Sequence, residues 1–215
     1  MNPASPASQA ALQRYYKLHA GIYDATRWSF LFGRDKVLTL AAAMAAPSRI
    51  LEIGCGTGRN IETLCHRFPE ARITGIDLSS QMLDQASARL KVFTGRVRLL
   101  QAAYDRPFHE PGHKFDMVLC SYSLSMFNPG WEQALQAAHD DLAPGGQMVL
   151  VDFHDSPAPA FRRWMGLNHV RMDGHLQPVL RRRFVPVVDR LKRAYGGLWR
   201  YHLFVGQKEP HGSLM

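Results

Sequence analysis

Arg49-Ile50-Leu51-Glu52-Ile53-Gly54-Cys55-Gly56-Thr57-Gly58-Arg59-Asn60 joins two kinds of chain. Of its first five residues, Ile50, Leu51 and Ile53 are apolar, alongside Arg49 and Glu52, and the run reads as a short buried strand. Three glycines follow at every second position, and from Asn60 the apolar spacing becomes helical. Gly54 allows a sharp turn out of the strand, while Gly56 and Gly58 remove side chains so that backbone can approach a ligand. Strand, glycine loop and helix in that order make the first unit of an open α/β sheet.

Outward from this unit the alternation continues. Residues 72–76, 97–101, 115–121 and 147–153 read as strands, and 60–68, 79–90 and 131–142 as helices, the last ending at Pro144-Gly145-Gly146. Short apolar strands separated by helices predict a mostly parallel sheet with right-handed crossovers. The stretch 184–205, rich in Val, Tyr, Leu and Phe around Gly196-Gly197, predicts an antiparallel hairpin on the sheet edge. Before the glycine loop, 10–25 and 35–44 read as helices flanking an aromatic cluster, Trp28-Ser29-Phe30-Leu31-Phe32-Gly33-Arg34.

Length and composition narrow the classes. The 215 residues suit one α/β domain, and 46% apolar and 20% charged residues are ordinary for a globular chain. No apolar run approaches the roughly 20 residues that span a bilayer. Residues 1–13 lack a charged-then-apolar leader, so the cytoplasm is the expected compartment. The 3 cysteines are too few for a disulfide framework, and none has metal-ligand spacing. His109 and His113 are four apart, but Pro111 and Gly112 between them indicate a loop, and no metal is expected.

The net charge is +8, concentrated late in the chain in Arg162, Arg163, Arg171, Arg181, Arg182, Arg183, Arg190, Lys192, Arg193 and Arg200. Such a face suits an anionic membrane surface or an acidic substrate. No module interleaves aromatics with these arginines, so nucleic acid is not an expected partner.

The spacing E-x-G-x-G-x-G differs from the G-x-G-x-x-G of nicotinamide-binding loops. It resembles motif I of the class I S-adenosylmethionine-dependent methyltransferases. Asp77 at the end of strand two, the Asp116 to Ser121 run, and the Ala143-Pro144-Gly145-Gly146 turn are similar to later motifs of that family, in the same order. The resemblance implies S-adenosyl-L-methionine as cofactor, with Asp77 accepting from both ribose hydroxyls and Leu78 and Met82 flanking the adenine. The implied cofactor set is Tyr16, Tyr23, Glu52, Gly54, Cys55, Gly56, Gly58, Asp77, Leu78, Met82, Ala103 and Ser121. The chain departs from the pattern at Ala102, where relatives often carry an Asp for the adenine amino group; backbone groups or Tyr104 are then left to recognise the base. The implied fold is a Rossmann-like, seven-stranded, mostly parallel sheet with an antiparallel C-terminal hairpin and an N-terminal helical lid. It forms one domain: lid 1–45, cofactor-binding core 46–155, and substrate-side helix with edge hairpin 156–215.

A narrower resemblance, to the betaine-lipid N-methyltransferases, rests on Tyr15 to Arg34 and on Ser121-Tyr122-Ser123-Leu124-Ser125-Met126. It implies a lipid headgroup amine as substrate, diacylglyceryl-homoserine being trimethylated by a cytoplasmic enzyme held peripherally at an anionic membrane. Another amino lipid of phosphatidylethanolamine type, or a soluble amine, would use the same chemistry; a non-catalytic cofactor- or membrane-binding module is the alternative of another class. Methyl transfer is an in-line displacement, so placement and exclusion of water are the main tasks. Aromatic faces suit a methylated ammonium. Tyr23, Tyr122 and His154 are therefore the catalytic candidates, the histidine as proton acceptor. Arg27, Arg171 and Arg181 to Arg183 are candidates for the substrate carboxylate, and sequence leaves the oligomeric state unassigned.

Overall fold

In the computed structural model, which describes residues 31–210 apart from positions 45 and 111, the glycine loop sits at the carboxyl end of a central strand. That strand, β1 (Arg49–Ile53), is followed by α2 (Arg59–Arg67), β2 (Arg72–Asp77), α3 (Ser80–Arg89), β3 (Val97–Gln101) and β4 (Phe115–Ser121), with α1 (Arg34–Ala42) preceding it. Then come α4 (Trp131–Asp141), β5 (Leu142–Asp155), α5 (Pro159–Leu167), α6 (Leu176–Arg183), β6 (Val185–Ala194) and β7 (Trp199–Gln207). The seven strands form one sheet in the order β3-β2-β1-β4-β5-β7-β6. The first five pair in parallel, and β7 pairs antiparallel with both β5 and β6. This is the expected fold class. No helix among the described residues is long and apolar enough to cross a membrane.

Strand alternation sorts side chains between two cores. Ile50, Met117, Leu119, Val149, Val151 and Leu203 face one cluster, which α1, α2 and α3 cover through Val37, Leu38, Ile61, Leu64 and Ala86. Leu51, Ile53, Val118, Cys120, Leu150 and Phe204 face the other, covered by α4 and α6 through Trp131, Ala134, Leu135, Leu176 and Leu180. Apolar residues at most positions of β1 and β4 are thus a consequence of burial on both faces.

Three expectations change. Strand five begins at Leu142, because the Pro144-Gly145-Gly146 segment is itself tied to the end of β7: Gly145 N–H donates to the Lys208 carbonyl and Lys208 N–H to the Gly146 carbonyl, both at 2.9 Å. The segment 156–184 holds two helices, since Gly174 takes φ +73° and His169 φ +61° between them. Helix 35–44 runs over Arg34–Ala42 and, with Val37, Leu38 and Ala41 buried against the sheet, is a core element; this part of the expected lid cannot swing free. From the aromatic cluster, Phe32 packs against Tyr195, Trp199 and Tyr201. The expected helix 10–25, with Tyr15, Tyr16, His19 and Tyr23, and the positions Arg27, Trp28 and Phe30, lie outside the described residues.

Gly58 shows how closely sequence governs this frame. It precedes α2 with φ +77°, and a Cβ there would lie 2.9 Å from Leu90 Cδ1 and 3.1 Å from Ala86 Cβ. Gly58→Ala is expected to lower stability by about 1–3 kcal/mol in urea unfolding, the combined cost of a left-handed non-glycine and a forced contact. A loss under half a kcal/mol would mean that α3 yields easily.

Candidate active site

The carboxyl ends of β1, β2 and β4 converge on a cleft built around the glycine loop. Gly54, Gly56 and Gly58 all take positive φ, +72°, +53° and +77°. The N–H groups of Gly54 and Cys55 donate to the Ile76 carbonyl at 2.8 and 3.0 Å, and Gly56 N–H donates to Asp77 Oδ2 at 2.8 Å. Asp77 Oδ1 accepts from Ser79 N–H at 2.9 Å. The loop from β1 is therefore fastened to the end of β2, and the carboxylate is fixed in orientation at the cleft.

The cleft has two lobes that share Gly54 and Gly56. One is walled mainly by apolar side chains, including Leu78, Met82, Ala102, Tyr104, Met126 and Phe127, with Asp77 and Tyr122 at its edge. The other is polar, lined by Arg34, Glu52, Arg59, Asn60 and Ser121 together with Leu31, Cys55 and Thr57. In the polar lobe Arg34 Nε donates to Asn60 Oδ1 at 3.0 Å, and Asn60 Nδ2 donates to the fully buried Glu52 Oε1 at 2.5 Å. This relay connects α1, α2 and β1 across the floor of the lobe.

Of the residues singled out from sequence, Gly54, Gly56, Asp77, Leu78, Met82 and Tyr122 line the apolar lobe, and Glu52, Cys55 and Ser121 the polar one. Gly58 stands behind the loop, packed on α3. Ala103 is displaced by one residue: its neighbour Ala102 forms the wall, as expected where successive residues of an extended chain face opposite ways. Tyr104 is buried, and its hydroxyl donates to Asp141 Oδ2 at 2.5 Å. The ring lines the lobe while the hydroxyl is committed to Asp141, which also accepts from the N–H groups of Phe108 and His109. Cys55 is buried, and burial beside Glu52 and Asp77 pushes its thiol far up.

The two described catalytic candidates differ in position. Tyr122 is 1% exposed, has φ +55°, and its hydroxyl donates to the Phe32 carbonyl at 2.7 Å. Its ring packs edge-on to Phe153, and burial raises its phenol well above the usual range, so it acts as a wall rather than a base. His154 does not line either lobe. Its ring lies against Gly174 and 6.0 Å from His202, and burial lowers its pKa. Arg171 Nε pairs with Asp173 at 2.7 Å and Arg181 Nε with Asp189 at 2.5 Å, so these two arginines serve carboxylates of the chain itself. His109 Nδ1 meets Asp141 Oδ1 at 2.8 Å, and no group of His, Cys, Asp and Glu among the described residues is arranged to hold a metal.

Sequence reasoning misses Arg34 and Asn60 as members of the site. The signal available was a polar residue in the first turn of α2, on the face that packs against the glycine-loop strand. It also misses Met126 and Phe127, which reach the lobe only because the chain reverses after β4 in the 3-10 turn Leu124–Met126.

Residues 50–146 match the family model described as a methyltransferase domain. Trans-aconitate 2-methyltransferase of Streptomyces avermitilis is 35% identical over 123 residues, 57% of this chain and 45% of that protein. Demethylmenaquinone methyltransferase of Thermus thermophilus is 34% identical over 145 residues, 65% of this chain and 64% of that protein. The chain thus spans about half to just under two thirds of the length of these relatives. Among solved structures, N-methyltransferase NodS from Bradyrhizobium japonicum, in complex with S-adenosyl-L-homocysteine, superposes with TM-score 0.68 at 22% identity, covering 81% of this chain and 85% of that one. The 1,6-didemethyltoxoflavin-N1-methyltransferase of Burkholderia thailandensis superposes with TM-score 0.71 at 18% identity, covering 97% and 92%. These likenesses show the fold.

Behind the sheet end, Asp189 gathers the C-terminal elements: it accepts from Gln177, Arg181 and His202 at 2.9, 2.5 and 2.9 Å. Burial pushes its carboxyl up, but the donors outweigh that and hold it at about 2. A depressed carboxylate contributes stability above its unfolded value near 4 that is lost as pH falls toward 2. The unfolding free energy of wild type over Asp189→Asn is expected to shrink by about 1–2 kcal/mol between pH ~5 and ~2. An unchanged difference in denaturant titrations would show that Asp189 is not held low.

Proposed function

We propose that this chain, whose residues 50–146 match a methyltransferase domain, binds S-adenosyl-L-methionine in the two-lobed cleft and transfers its methyl group to an amine. The observation that carries the reading is the matching polarity of site and cofactor. The apolar lobe suits a base, and the polar lobe, with both a cationic and an anionic side chain in Arg34 and Glu52, suits a zwitterionic amino acid. Between them Asp77 presents a carboxylate, and a bidentate acceptor suits the vicinal diol of a ribose. Glycine at 54 and 56 leaves the backbone itself as the surface joining the lobes, with Ser123 so near that a Cβ at Gly54 would lie 2.6 Å from its Cβ.

Bound there, the cofactor supplies a methyl group on a sulfonium. The chain's part is to hold that group and exclude water. Tyr122, with its hydroxyl tied to Phe32, offers ring surface at the edge of the cleft, and no buried side chain needs to accept a proton if the amine arrives neutral. Tyr16 and Tyr23 remain part of the proposed site; Ala102 stands in it where Ala103 was expected, and His154 lies outside both lobes.

For the acceptor, the lipid headgroup amine is supported by the betaine-lipid resemblance of 15–34 and 121–126, and by the surface of α5. On that helix Trp164 is 49% and Leu167 74% exposed, beside the exposed Arg162 and Arg163. An apolar stripe flanked by arginines suits shallow contact with an anionic bilayer. A soluble acceptor is the second reading, favoured by the name of the trans-aconitate relative.

Radiolabel transfer from methyl-labelled cofactor to a total lipid extract, beside a pool of soluble amines and carboxylic acids, separates these. Label in the organic phase supports the lipid acceptor; label only in the aqueous pool removes the membrane; none in either returns the chain to a binding module. Asp77→Ala is expected to weaken S-adenosylhomocysteine binding by about 1–3 kcal/mol in calorimetry through lost hydrogen bonds. Unaltered affinity would displace the ribose from this carboxylate.

A further inference from the structure

Asp152 on β5 is a carboxylate with 0% exposure, and no cationic side chain pairs with it among the described residues. Oδ2 accepts from Ser125 N–H at 3.1 Å and Oδ1 from Phe153 N–H at 2.8 Å. Ser125 is the middle of the 3-10 turn Leu124–Met126, whose flanking residues Ser123 and Phe127 and own Met126 wall the apolar lobe. The same turn is held from other sides, since the Ser125 carbonyl accepts from Arg171 N–H at 2.8 Å and from Asn128 Nδ2 at 2.7 Å. Ser123 in turn presses on Gly54, which has no room for a Cβ.

An unpaired carboxylate in an apolar interior is costly, and chains seldom retain one without a task. Burial pushes this one up to about 6, against the hydrogen bonds from Ser125 and Phe153. Facing it are Cys120 on β4 and Tyr122 beyond it, both driven up by burial and neutral, and His202 directly opposite on β7, with His154 two residues along β5. Burial lowers both histidines, so near neutral pH they are neutral beside the ionised Asp152, while Asp189 on β6, ionised as well, holds the far side of His202.

We propose that Asp152 is a positioning residue: its ionised carboxylate pins the 123–127 turn at the height over Gly54 that the cofactor's apolar end requires. The inference rests on the cofactor reading above and adds a pH dependence to it. With the carboxylate ionised the turn is drawn down onto β5; once protonated it is a weaker acceptor, and the wall loosens.

The test is S-adenosylhomocysteine affinity by calorimetry at about pH 7.5 and about pH 5.5. Wild type is expected to bind about fivefold more weakly at the lower pH. Asp152→Asn should bind roughly tenfold more weakly at the higher pH and change less than about twofold between the two. The histidines titrate in both proteins, so the difference between the profiles belongs to Asp152. Asp152→Glu, which keeps the charge and moves it by one methylene, should lose affinity yet keep the step. A variant that binds as wild type does while unfolding at lower temperature would make Asp152 merely structural and overturn the proposal. A wild-type profile that is flat overturns it whether or not the variants fold. Absence of binding by wild type at either pH defeats the cofactor reading itself, a result distinct from the other two.

Discussion

Everything at the sheet end depends on one backbone constraint: the chain leaving β1 must take positive φ at Gly54, Gly56 and Gly58 in turn. That path brings the N–H groups of 54 and 55 onto the Ile76 carbonyl and that of 56 onto Asp77. Two strands that are neighbours in the sheet are thereby locked beyond their ladder, and the acid that ends β2 is held in place by the loop that ends β1. The same path lets Ser123 approach from β4. Loop, carboxylate and far wall are therefore one unit, and a side chain at the wrong glycine would separate all three.

Much of this was legible. The bounds of β1, β3 and β4 and the hairpin about Gly196-Gly197 follow from apolar runs and turn residues, because burial on both faces leaves a continuous apolar signature. Asp77, Leu78 and Met82 follow from the methyltransferase resemblance of the segment that ends strand two. The Glu52–Asn60–Arg34 relay was not legible, because nothing local marks a buried polar chain whose members sit on three elements. Nor was the use of Tyr104 and Tyr122. Both hydroxyls are consumed by partners far along the chain, Asp141 and Phe32, and only the assembled fold brings these together. His154 illustrates the reverse: its position after a strand pointed to the cleft, while its strand face turned it toward Gly174 and His202.

The match to the methyltransferase domain ends at residue 146, before most of β5, both helices of the 156–184 segment and the hairpin. What lies beyond is outside the family match. Three of the nine arginines there, Arg171, Arg181 and Arg200, pair with Asp173, Asp189 and Asp155, which trims the cationic surface actually presented. The exposed remainder is narrower and lies partly on α5.

Cys55, Cys65 and Cys120 are 6%, 1% and 0% exposed, and burial raises each thiol. A thiolate is the species that reacts with maleimides and similar reagents, so the native chain offers such reagents almost nothing. It therefore serves as its own cysteine-free background. A single cysteine placed on the outward face of α5 or on the turn after β4 would carry the only fluorophore or spin label in the molecule, and its signal would report that one position without any of the native thiols being replaced.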